Sequence, residues 1–196
     1  MDAAFQLFAE KGVDKVSVRE IVEKVGATKP VLYYYFKDKE DLVDQLFQIH
    51  TDQFREILET SSAQDIPLED MITRLFEHVI GHYKTSPNHC RFGMRVMVAA
   101  AENEKIARTL DDMMRSHHSM LHGALVKAQL KGEIPPEASD DLVHLIEAVF
   151  GHLAFIMSSP KIGVAGLDKD LPRRMAHTIV RGVKAAALEH KKGNRK

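Results

Sequence analysis

Apolar residues recur at three- and four-residue spacing along almost the whole chain, and nowhere do they sustain the two-residue alternation of a strand. The dipeptides Asn-Gly and Asp-Gly, which make tight hairpins, are absent. This pattern points to an all-α fold of about nine helices, punctuated by glycine and proline. The first helix runs to Lys11 and stops at Gly12. Ser17, three residues before Glu20, has the spacing of a capping box, and the helix it opens buries Ile21, Val22 and Val25 and ends at Gly26. Thr28 caps a third helix reaching Phe36, and a fourth is expected over 38–59. The set Met71, Ile72, Leu75, Phe76, Val79, Ile80 and Tyr83 marks a fifth, interrupted at Ser86-Pro87. Residues 92–101 are apolar on nearly every face, which predicts a helix buried on all sides. A long helix over 104–130 ends at Gly132 and Pro135-Pro136. Leu142, Leu145, Ile146, Val149, Phe150, Leu153, Ile156 and Met157 form a wide stripe ended by Pro160. After a loop over 163–166, a last helix covers 171–190, followed by a basic tail over 191–196.

The 196 residues carry 27 Lys and Arg against 28 Asp and Glu, so any surface for nucleic acid must be local rather than global. A single cysteine, Cys90, rules out an intrachain disulfide and a four-cysteine zinc site, and it fits a reducing cytoplasm. No stretch is expected to reach the roughly 18 apolar residues that span a bilayer. The expected setting is cytoplasmic, without contact with a membrane. The first residues already read as helix with no capping residue or arm before them, which leaves open a start upstream of Met1.

The segment from Ser17 to Lys39 is the most informative. Two short helices joined by a tight turn at Gly26-Ala27 have the dimensions of a helix-turn-helix. The second presents its N-terminal end and a polar-aromatic face, as a major-groove reader does. Thr28 and Lys29 stand in its first turn, where free amides favour phosphate. Pro30 is tolerated there because a first-turn amide has no helical partner to lose. Leu32 and Phe36, four apart, are expected to pack on Ile21 and Phe8. Tyr33 and Tyr34 then project outward, with hydroxyls for phosphate and rings for thymine methyls. Lys37 and Lys39 flank the next helix start. The same residues also suit plain aromatic core filling, so spacing by itself leaves both readings standing.

The run from Ala3 to Phe47 resembles the N-terminal domain of the tetracycline-repressor (TetR) family of bacterial regulators. The likeness rests on Ala4, Leu7-Phe8 and Gly12, then Ser17-Val18 before Ile21. Gly26, Leu32-Tyr33-Tyr34 with Phe36, and Lys39-Glu40-Asp41-Leu42 complete it. The resemblance implies that residues 1–46 form a DNA-binding domain and 47–196 a ligand-binding and dimerisation domain. It implies DNA contacts from Ser17, Val18, Thr28, Lys29, Pro30, Tyr33, Tyr34 and Tyr35, and a phosphate contact from Lys39, to which the residue reading adds Lys37. Family members often have glycine at the position of Pro30 and histidine at that of Tyr35, and usually an arm before the first helix. Residues 1–46 hold 7 Lys or Arg against 9 Asp or Glu, so cations on one face must supply salt-dependent affinity.

Beyond residue 60 no phosphate loop, nucleophile elbow or carboxylate pair is present, which argues against an enzyme and gives no cofactor to expect. In the family this region binds a small molecule, and its last two long helices pair with their mates. Expected lining residues are Met71, Leu75, Phe76, Val79, Phe92, Val96, Met97, Leu110, Met113, Met114, His117, Leu121 and Phe150, an adaptable apolar wall for a largely apolar ligand. His117 is four from Met113 and from Leu121, either as a polar handle or as a bonded core histidine. The expected dimer interface comprises Leu142, Leu145, Ile146, Val149, Gly151, Leu153, Met175, Ile179 and Val183, with Ala148 and Ala154 allowing close approach. Among eleven histidines, His78/His82 and His118/His122 have i,i+4 ligand spacing, but nothing in the sequence completes a set, so no metal is expected.

The expectation is a homodimeric regulator, read here as a repressor, released from a palindromic operator when a small molecule shifts the fourth helix. The sequence does not separate repression from activation. The rival is a helical ligand-binding protein or enzyme that kept the fold without reading DNA.

Overall fold

The computed structural model describes residues 1–136, 138–159 and 167–193, with side chains up to residue 186. Pro160, the loop over 163–166 and the tail beyond 193 lie outside them. Among the described residues there are nine helices and no strand: α1 (Asp2–Lys11), α2 (Val18–Val25), α3 (Lys29–Tyr35), α4 (Lys39–Ala63), α5 (Leu68–Thr85), α6 (Pro87–Ala100), α7 (Glu104–Leu130), α8 (Ser139–Ser158) and α9 (Leu171–Gly193). They group into two compact units. One comprises residues 1–53, 82–116 and 154–163; the other comprises 54–81, 117–153 and 164–196.

The first unit is built on an aromatic cluster. Phe92 of α6 is fully buried and meets Phe5 at 5.2 Å, Phe8 at 5.9 Å and Phe47 at 5.2 Å between ring centres. Leu7, Val13, Val16, Ile21, Val22, Leu32, Leu42, Val43 and Leu46 join the same core, with Phe36 packed at its edge. Leu32 and Phe36 thus share a core with Ile21 and Phe8, as their spacing predicts. Burying a ring such as Phe92 contributes about 1.5–3 kcal/mol, so this cluster anchors α1 on α6.

The second unit buries Leu68, Met71, Ile72, Leu75 and Phe76 of α5, Leu121 and Leu125 of α7, and Leu142, Val143 and Ile146 of α8. Glu133, just past the left-handed Gly132 (φ 75°) that ends α7, accepts the amide of Leu68 at 2.7 Å and so caps α5. Lys131 pairs with Asp65, and His177 of α9 meets Glu69 of α5 at 3.1 Å.

Three expectations change. Residues 92–100 belong to a longer helix, α6, which Ala101 caps, and it is buried on one face only: Cys90, Phe92, Val96 and Ala99 are inside while Met97 and Val98 are 55% and 69% exposed. A run apolar on every side satisfies both a core and a bare surface, and periodicity cannot distinguish them. Val25 closes α2 in the open, 54% exposed, beside Gly26 rather than in the core. And α8, without an uninterrupted apolar run, still has an 18-residue window of mean hydropathy 1.4, of which only 22% is buried. It is the one helix among the described residues long and apolar enough to cross a membrane.

Candidate nucleic-acid interface and effector pocket

The helix-turn-helix is assembled by local chemistry. Ser17 takes the extended N-cap conformation of α2, its Oγ accepts the Glu20 amide at 3.2 Å, and the Glu20 carboxylate accepts the Ser17 amide at 2.8 Å. Lys11 of α1 donates to the same carboxylate at 2.6 Å. That lysine, with the Ser17 amide and hydroxyl, pulls the Glu20 carboxyl down to about 2. Gly26 ends α2 in the left-handed region, φ 67° and ψ 23°, which lets the Gly26 amide donate to the Glu23 carbonyl and the Ala27 amide to Val22. The chain then turns into α3, with Thr28 at the N-cap and Pro30 within the first turn. The Thr28 hydroxyl makes no capping bond.

Among the α3 side chains only Leu32 is buried. Tyr33, Tyr34 and Tyr35 are 52%, 83% and 65% exposed, and the rings of Tyr34 and Tyr35 meet edge to face at 5.1 Å. Ser17, Thr28, Lys29, Pro30 and Lys37 are exposed too, with Val18 half-buried. These residues are thus open to solvent, or half-buried for Val18, along α2, α3 and the segment that follows. Val25 and Val31 share that exposure and were not singled out by sequence, because valine in an amphipathic helix reads as core. Lys39 differs from expectation: its ammonium donates to the carbonyls of Val13 at 2.8 Å and Asp14 at 3.5 Å, tying α4 to the loop after α1. The start of α4 is otherwise capped by acids, Asp38 accepting the Asp41 amide and Asp41 the Lys37 amide, each at 2.8 Å.

The thirteen expected lining residues divide. Phe92, Val96, Leu110 and Met113 belong to the core around α1, and Met97 and Met114 are more than half exposed. In the second unit Met71, Leu75, Phe76 and Leu121 are buried, with Val79, His117 and Phe150 half-buried. The last two meet a residue that sequence reasoning missed, Phe54 of α4. Its ring stacks on His117 at 4.7 Å and meets Phe150 edge-on at 6.1 Å, while Phe150 meets Phe76 at 5.5 Å. The His117 Nε2 is buried with no hydrogen-bond partner. Burial, helped by the Arg55 charge, lowers its pKa to about 4, so the ring is neutral at pH 7.

The expected dimer residues also divide. Leu142, Ile146 and Leu153 are buried within the chain and unavailable to a partner. Leu145 is 48% exposed, Gly151 is open, and Val149, Met175, Ile179 and Val183 are half-buried. Val149, Met175 and Ile179, with Leu171, Arg174 and Thr178, line an open groove of 320 Å³. Ala148 and Phe155 add to the bare side of α8.

Comparison with known proteins finds relatives for the N-terminal segment and for the fold. Residues 1–46 match the family described as bacterial regulatory proteins, tetR family. The chain is 27% identical over 150 residues to the HTH-type transcriptional repressor ComR of Escherichia coli, covering 75% of this chain and 70% of ComR. It is 23% identical to the fatty acid metabolism regulator protein of Bacillus subtilis, covering 68% of each. The solved structure of Salmonella enterica GusR superposes with a TM-score of 0.73 at 19% identity, over 93% of this chain and 92% of that one, which shows a shared fold.

Proposed function

The chain belongs to the TetR family of bacterial regulators, and from that premise we propose that it is a ligand-responsive, DNA-binding transcriptional repressor acting as a homodimer. Residues 1–46 are the DNA-binding part and 47–196 the ligand-binding and dimerisation part. The observation that carries the reading is α3. A seven-residue helix with three exposed tyrosines and one buried leucine contributes little to a core and much to a groove. Tyrosine hydroxyls and the Lys29 and Lys37 ammonium groups bond phosphates, and the rings meet base edges and thymine methyls. Lys39 acts through its backbone clamp, holding α4 against the loop at Val13, rather than as a free phosphate contact.

Dimerisation follows from α8. Its exposed apolar side, with Leu145 and Phe155, needs a cover, and a two-fold partner supplies one while spacing two α3 helices for half-sites about 34–36 Å apart. The effector is largely apolar, with one hydrogen-bonding group for His117. The unpartnered Nε2 and the aromatic wall of Phe54, Phe76 and Phe150 support this. Phe54 lies on α4, whose first residue is Lys39. A ligand that displaces the His117–Phe54 stack therefore shifts the helix that holds the DNA-binding part, provided it prefers one position by a few kcal/mol.

The test is selection of random duplex DNA by the purified chain, followed by salt titration on the enriched sequence. An inverted repeat whose affinity falls steeply with salt supports the reading. No enrichment from folded protein overturns it.

A further inference from the structure

The histidine pairs visible in the sequence are not the ones that the fold brings together. His118 meets Glu147 at 3.2 Å, and His122 meets Asp140 at 3.0 Å, each a partly exposed imidazole beside a carboxylate. His144 joins the first pair but is 72% exposed. A different arrangement forms in the first unit. His50 of α4, His82 in the last turn of α5 and His89 in the first turn of α6 each offer a ring nitrogen within 4.8 Å of the others. His82 Nε2 and His89 Nδ1 are 3.0 Å apart. The ring centres form a nearly equilateral triangle of 5.1, 5.2 and 4.8 Å, with planes inclined at 86°, 88° and 65°. All three side chains are half-buried.

The geometry points to a three-histidine site for a divalent transition-metal ion of the zinc type, formed by His50, His82 and His89. An ion bound tetrahedrally, with metal–nitrogen bonds of about 2.0–2.1 Å, sets its donor nitrogens roughly 3.3 Å apart and the imidazole centres about 5 Å apart. The triangle matches the second distance, and the 3.0 Å nitrogen pair opens slightly to reach the first. Three neutral imidazoles suit zinc, copper or nickel and leave a fourth position open for water. Gln53, one turn further along α4 from His50, has a buried Oε1 without a hydrogen-bond partner and stands on the adjoining turn. Cys90 is excluded as a ligand despite adjoining His89. Its thiol instead donates to the Ala154 carbonyl at 2.7 Å.

The site is backed by α1. Phe5 of α1 stacks on His89 at 3.7 Å and 14°, and meets His50 edge-on at 5.8 Å. An ion there joins α4, α5 and α6 behind α1, so occupancy raises thermal stability as any ligand specific to the folded state does.

The experiment uses the full chain stripped with a chelator, then titrated with Zn(II) against a chromophoric competitor, with Co(II) as a spectroscopic probe. One ion per chain is expected, with the intense visible absorption of four-coordinate Co(II) and a raised melting temperature. His50→Gln and His89→Gln are each expected to weaken Zn(II) by at least about a hundredfold, the upper end of what losing even an outer-shell partner costs. His144→Gln is expected to change nothing. Less than one ion per chain, the weak spectrum of six-coordinate Co(II), or an affinity lost in His144→Gln and kept in His50→Gln overturns the assignment. The Co(II) spectrum of the unsubstituted chain decides the matter even where a variant folds poorly.

Discussion

The turn between α2 and α3 offers a measurement whose size follows from two angles. Gly26 sits at φ 67° and ψ 23°, and a Cβ built there meets nothing within 4 Å. Replacing it by alanine therefore adds no collision with the rest of the chain and isolates the backbone cost of the left-handed region, about 1–2 kcal/mol for an ordinary residue. The substitution also removes freedom from the unfolded chain, which offsets about 0.4–1 kcal/mol. The net loss for Gly26→Ala is then about 1 kcal/mol. Asparagine enters this region more readily, so Gly26→Asn is expected to lose less than half as much. Urea unfolding followed by circular dichroism, at one fixed chain concentration, reads this as a midpoint lowered by about 0.5 M for a slope near 2 kcal/mol/M. The folded fraction of Gly26→Ala is expected to keep its DNA affinity, because the amides of Gly26 and Ala27 still have the Glu23 and Val22 carbonyls to bond. If alanine is tolerated as well as glycine, or asparagine proves no better than alanine, the turn does not need a left-handed residue and the reasoning fails.

Tyr34→Ala removes a side chain 83% exposed, so the melting temperature stays within a degree or two while operator affinity falls about tenfold or more in a gel-shift titration; equal losses in both would make Tyr34 structural. Ser17→Ala deletes the cap of α2 and is expected to cost about 1 kcal/mol in urea unfolding, whereas Ser17→Asp, which can still accept the Glu20 amide, recovers part of it. His117 has its folded pKa depressed to about 4, below its unfolded value of 6.5, so the unfolded chain binds the extra proton between those values and stability rises with pH across that window. In His117→Gln that rise is expected to flatten in thermal melts taken between pH 4 and 7. Leu145→Glu places a charge on the bare side of α8 and is expected to give monomers in sedimentation velocity; an unchanged sedimentation coefficient would assign the dimer contact elsewhere.

Much of the fold was legible because helices are signalled locally. The Ser17–Glu20 box, the left-handed glycines at 26 and 132 and the apolar repeat of α5 are each written within four residues of where they act. What sequence did not yield is a matter of which face meets what. On α8, Leu142, Ile146 and Leu153 turn inward and Leu145 and Phe155 outward, yet all five are equally apolar, so no periodicity ranks them. Met97 and Met114 were placed in the pocket on the same ground and stand exposed. Lys39, expected at a phosphate, donates to the carbonyls of Val13 and Asp14, a contact between distant residues that no local pattern announces. The His50, His82 and His89 group draws on three helices, so no spacing in the chain announces it, whereas the i,i+4 pairs do announce themselves and lead elsewhere.

The acidic balance of residues 1–46 has a structural resolution that bears on how such a domain holds DNA. Its carboxylates are concentrated where helices begin: Glu20 caps α2 and neutralises Lys11, while Asp38 and Asp41 cap α4, with Asp38 also bonded to Lys105. Negative charge in a first turn stabilises the helix that follows, so these acids serve the scaffold. The α3 segment carries none: from Lys29 to Tyr35 the only charge is the lysine, and Lys37 follows just beyond. Net charge summed over the domain therefore misrepresents the field at the proposed recognition surface. Hydrogen-bond donors dominate there, in the three tyrosine hydroxyls, the uncapped Thr28 hydroxyl and the first amides of α3. Donors of this kind fix a protein's register on the phosphate backbone without raising its attraction for DNA in general. A domain built this way gains less from nonspecific binding than a basic one and depends more on matching its sequence, which suits a regulator that must leave its site when a small ligand binds.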